Sequence, residues 1–119
     1  MKKKTVIEEN YLERIPKRND EITWSADENG IVTLEIKNTG VMNKIAQKLF
    51  KKPPVSYVHL DENGSFVWQI IDGERSIIEI GKDVEAKFGE RADPLYERLA
   101  KYFQILDSYK FIFWNNKKD

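Results

Sequence analysis

The chain of 119 residues contains no cysteine. Disulfides, thiolate zinc sites, iron–sulfur ligation and cysteine nucleophiles are therefore excluded. Histidine occurs once, at His59. A metal site would have to be completed by scattered carboxylates, and a serine triad would have to recruit His59 without any Gly-x-Ser-x-Gly elbow. Adjacent carboxylates such as Glu8-Glu9 and Asp61-Glu62 point in different directions and form no acid/base pair. No apolar run approaches the ~20 residues of a membrane-spanning helix. The opening Met1-Lys2-Lys3-Lys4 looks like the start of a signal peptide, but the apolar run stops after Val6-Ile7. Net charge is absent too: 20 Lys and Arg balance 20 Asp and Glu. Nucleic-acid binders usually carry a basic excess to neutralise phosphates, so this balance argues against one. The basic runs Lys2–Lys4 and Lys117-Lys118 lie at the ends and read as solvated termini. The expectation is a cytoplasmic protein that is not an enzyme and has no cofactor and no membrane partner.

What is present is an ordinary globular mixture, 40% hydrophobic and 34% charged, with three Trp, six Phe and five Tyr as core anchors. The length suits one domain. Residues 1–19 lack a clear period and read as a lead-in, residues 20–114 as the domain, and residues 115–119 as a polar tail.

Residues 21–25 alternate polar and apolar side chains, as a half-buried strand does. Asn29-Gly30 is a strong hairpin signal, because both residues tolerate positive φ. Residues 31–37 form the return strand, with Val32, Leu34 and Ile36 inward. Val41, Ile45 and Leu49 recur at helical spacing, which predicts a short amphipathic helix ended by Pro53-Pro54. Residues 55–60 are β-branched and aromatic, a third strand. Asp61 then caps a largely buried helix over 62–71, and Gly73 supplies a left-handed stop. Ser76 and Glu79 form a capping box for a helix that ends at Gly89. Asp93-Pro94 predicts N-cap and first helical position of a last helix, and residues 111–114 an apolar return strand or packed cap. The resulting fold class is α+β, winged-helix-like: a small three-stranded antiparallel sheet followed by three helices, with an extra short helix between the second and third strands.

The last helix has a wide apolar arc. With Leu95 at zero, Leu99, Tyr102 and Leu106 fall within roughly 40°, while Phe103, Tyr96 and Ala100 fall at about 80°, 100° and 140°. Either the helix is wedged between two parts of its own domain, or Tyr96 and Phe103 line a groove or a subunit interface. If the third strand lies at a sheet edge, its unpaired backbone groups can accept an added peptide strand beside that helix.

The ordered series Leu60-Asp61, Gly64, Trp68-Gln69-Ile70-Ile71-Asp72-Gly73, Ser76-Ile77-Ile78-Glu79-Ile80, Phe88-Gly89 and Leu95…Leu99 resembles the PqqD family, the pyrroloquinoline quinone biosynthesis D proteins and related peptide-recognition domains. The resemblance covers about residues 20–113 and is strongest over 57–103. It implies a non-catalytic peptide chaperone or adaptor. Such a protein binds the leader segment of a ribosomally made precursor peptide as an extra strand and presents it to a modifying enzyme, often of the radical S-adenosylmethionine type. Carried over residue by residue, the implied peptide-binding positions are Val55, Ser56, Tyr57, Val58, His59 and Leu60 on the strand, and Leu95, Tyr96, Leu99, Ala100 and Phe103 on the helix. The helix over 41–52 and the lead-in over 1–19 depart from the compact family pattern, and either could cover the edge.

Two other readings compete. A winged-helix DNA-binding or regulatory protein would need a basic recognition helix, but Lys82 and Lys87 are offset by Glu79, Asp83 and Glu85. A structural module could form a homodimer through Phe103 and the apolar residues 111–114.

Overall fold

The computed structural model describes residues 9–37 and 55–115. The helix expected over 41–50, the basic residues at both ends and most of the polar tail lie outside the described residues.

In chain order the elements are α1 (Glu9–Leu12), β1 (Pro16–Arg18), β2 (Thr23–Ala26), β3 (Val32–Lys37), β4 (Val55–His59), α2 (Glu62–Ile70), α3 (Ile77–Phe88), a 3-10 turn (Gly89–Ala92), α4 (Leu95–Ser108) and β5 (Ile112–Trp114). The fold is α+β. An antiparallel sheet of order β2-β3-β4 packs its inner face on α2, α3 and α4, and a separate ribbon pairs β1 with β5.

The hairpin forms where Asn29-Gly30 allows it. Gly30 takes φ +81°, and the Asp27 carboxylate accepts from the Asn29 and Ile31 amides. β2 is shifted slightly from the expected 21–25 because Glu21 is held in the preceding turn, where its amide donates to the Asn19 side chain. On β3, Val32 and Leu34 are fully buried and Ile36 half-buried, so the inward set follows the alternation. Leu34 faces Val58 across the β3–β4 ladder, while Glu35 faces Tyr57 and Thr33 faces His59 on the outer side.

The helix signals act as their chemistry dictates. The Asp61 carboxylate accepts from the Gly64 amide at 2.7 Å. At α3 the Ser76 hydroxyl accepts from the Glu79 amide and the Glu79 carboxylate from the Ser76 amide, a complete capping box. Gly73 and Gly89 both take positive φ at the turns after α2 and α3. The start of α4 differs from the expectation. Pro94 is extended, at ψ 112°, and occupies the N-cap, so Leu95 is the first helical residue; Asp93 gives no side-chain cap because the 3-10 turn ends there, its amide donating to Glu90.

Part of the lead-in is woven into the domain. Pro16 pairs with Trp114 and is fully buried, the Ile77 amide donates to the Arg14 carbonyl, and the Asn115 amide donates to the Ile15 carbonyl. The Arg18 guanidinium lies over the Trp24 ring, 5.1 Å from its centroid, and donates to the Trp68 carbonyl. Trp24 in turn meets Trp68 edge to face at 6.4 Å. These contacts tie β1 to the sheet at β2 and to α2.

A groove between the edge strand and the last helix

β4 is the outer strand of its sheet among the described residues, and its backbone has a definite parity. The Leu60 amide donates to the Val32 carbonyl. In an antiparallel ladder, hydrogen-bonded pairs recur at every second residue. With Val58 opposite Leu34 and Ser56 opposite Ile36, the amides and carbonyls of Ser56, Val58 and Leu60 point toward β3. Those of Val55, Tyr57 and His59 therefore point away from it, toward the open side.

Beside that edge runs a groove with α4 as its far wall. A central chamber of about 600 Å³ is lined by Val58, Leu60, Tyr102, Ile105, Tyr109 and Phe111, among others. Asp61, Gly64, Tyr102 and Ile105 also line a second chamber of about 260 Å³, which extends to Leu95, Arg98 and Leu99. Tyr109 and Phe111, stacked at 5.4 Å, form the wall shared with a third chamber of about 450 Å³ near Ile36 and Lys37. The floor is fixed by Tyr102, whose hydroxyl donates to the Gly64 carbonyl at 2.8 Å. Burial, helped by the Asp61 charge, pushes the Tyr102 phenol well above its ordinary range, so it stays a neutral donor. Ile105 and Tyr109 are exposed large apolar side chains on the rim.

The residues singled out from the sequence divide into three groups. Val58, His59, Leu60, Leu95 and Leu99 line the groove. Val55, Ser56 and Tyr57 continue the same strand edge, with the Tyr57 side chain on the outer sheet face and His59 Nδ1 2.9 Å from Thr33 Oγ1. Tyr96, Ala100 and Phe103 lie elsewhere. Ala100 and Phe103 are fully buried, Phe103 against Tyr102 and Trp114. Tyr96 covers Gly81 of α3 and its hydroxyl donates to the Ile78 carbonyl. The wide arc of α4 thus reflects a helix wedged between α3, β5 and the groove floor. The groove uses the opposite flank, at Tyr102 and Ile105. The signal for that flank was Ile105, a lone apolar residue among Glu97, Arg98, Lys101 and Gln104.

No helix among the described residues is long and apolar enough to cross a membrane. No curated protein and no solved structure matches the chain significantly. The family model described as coenzyme PQQ synthesis protein D (PqqD) matches residues 52–112, a span that holds β4, the three long helices of the described residues and most of the groove. With more than half of its length in that match, the chain belongs to the PqqD family.

Proposed function

We propose that this protein is a non-catalytic adaptor that binds the leader segment of a ribosomally made precursor peptide and presents it to a modifying enzyme of the radical S-adenosylmethionine type. The observation that carries this reading is the outer edge of β4, unpaired among the described residues, lying alongside an apolar groove against α4. An added strand pairs with the outward amides and carbonyls of Val55, Tyr57 and His59, which supplies affinity independent of sequence. Its inward side chains enter the chambers beside Tyr102 and Ile105, which supplies selectivity. Membership of a family named for PQQ synthesis supports a place in peptide maturation. The adaptor acts in the cytoplasm and needs no cofactor of its own, because the chemistry belongs to the partner.

The test is titration calorimetry with the leader of a precursor peptide encoded beside this protein. Tyr57→Pro removes an outward donor while leaving the β3 ladder intact. The expected result is binding by the wild type and its loss in this variant. Unchanged binding by Tyr57→Pro overturns strand addition.

A further inference from the structure

Charge is distributed unevenly along the groove. Its centre is mostly apolar, built from Val58, Ile105, Leu106 and Phe111, with His59 and Asp61 also in its lining. Its two ends are not. The chamber near the start of α4 carries Arg98 and Lys101, and the chamber near the end of β3 carries Lys37 and Lys110. All four cations are exposed. Against them stand two carboxylates, Asp61 and Glu21. Asp61 is already engaged as the cap of α2.

The ion pairs among the described residues lie elsewhere, joining Lys17 to Asp20 and Arg75 to Asp72 and Asp83. Among the described residues Arg98 donates to a neutral partner, the Arg91 carbonyl. Among the described residues, each end of the groove therefore sets two cations against one carboxylate, a positive excess in a chain whose net charge is zero.

We propose that the peptide selected here has an apolar stretch flanked on both sides by acidic residues. This rests on the strand-addition reading and specifies its ligand. The apolar centre and the outer strand edge favour a peptide over a nucleic acid, which would want cations along the whole track. Each acidic flank gains an exposed cation, and repulsion rejects basic segments, so the ends set selectivity while the centre sets affinity.

The experiment is selection of random short peptides displayed on phage against the full chain, with circular dichroism confirming that every variant is folded. The expected pool has an apolar centre with Asp or Glu on both flanks. Lys101→Glu is expected to erase the acidic preference on one flank and Lys110→Glu on the other. A selected peptide whose flanking acids are changed to serine is expected to bind about fivefold more weakly at low salt, with the difference shrinking as salt is added. Binders that lose affinity with Tyr57→Pro but show no acidic bias overturn this proposal and leave strand addition standing. Recovery of no binder by the folded protein overturns both. Tighter binding of a single-stranded DNA oligonucleotide than of any selected peptide overturns the choice of ligand.

Discussion

The Tyr102 hydroxyl and the Gly64 carbonyl meet at 2.8 Å across 38 residues of chain. This one contact lays the ring of α4 on the first turn of α2 and so makes the groove floor. The fit is close: a Cβ at Gly64 would stand 3.0 Å from the Asp61 carboxylate and 3.2 Å from the Tyr102 ring. The cap, the glycine and the tyrosine therefore act as one unit beneath the strand edge.

Tyr102→Phe keeps the ring and removes the donor. Unfolding free energy is expected to fall by about 1 kcal/mol, the net worth of one such bond. Urea denaturation followed by tryptophan fluorescence measures it.

Two neighbours on α4 are expected to behave in opposite ways. Phe103 is fully buried, so Phe103→Ala is expected to destabilise by about 3–5 kcal/mol. Ile105 is 49% exposed on the groove rim, so Ile105→Asp is expected to change stability by no more than about 0.5 kcal/mol. The same change is expected to weaken leader binding severalfold. Thermal melts paired with calorimetry separate the two effects.

Gly81 has no room for a side chain, since a Cβ there would lie 2.5 Å from the Tyr96 ring. Gly81→Ala is expected to cost about 1–3 kcal/mol through overpacking. Adding Tyr96→Leu should recover part of that loss if the ring is the obstacle. Denaturant midpoints of the single and double variants decide it.

Asp72 supplies a pH-dependent contribution. Slight burial pushes its carboxyl up, but the Glu74 and Arg75 amides and the Arg75 guanidinium outweigh this and hold it below 3.8. A folded-state value below the unfolded one stabilises the fold at higher pH, and the gain is lost as pH falls through the folded value. Asp72→Asn is therefore expected to melt earlier than the wild type at neutral pH. The gap should close as the pH drops below 3.8. Melting curves taken along a pH series test this.

Local signals were the legible part of the sequence. Asn29-Gly30, Asp61, Ser76 with Glu79, and Gly89 each determine a turn or a cap through chemistry confined to a few residues, and each sits where that chemistry places it. The third strand was legible as well, from the β-branched and aromatic run that opens at Val55, but its place at the edge of the sheet was not. The orientation of α4 was not. Its apolar arc is wide enough to serve two faces, and periodicity cannot say which face meets α3 and which meets open space. That choice depends on Gly81 making room for Tyr96 and on Trp114 receiving Phe103, both contacts between distant segments. The pairing of β1 with β5 was hidden for the same reason, because Pro16-Lys17-Arg18 has no strand-like pattern and is ordered only by its partner.

The family match begins at residue 52 and ends at residue 112, but the core does not respect those limits. Val32 and Leu34, both fully buried, come from a strand before the match, and Pro16 is buried against Trp114 just beyond it. The span that the family model matches is thus smaller than the packed core of the described residues. An excised 52–112 fragment would lose β3 and so expose the edge of β4 that the β3 ladder covers.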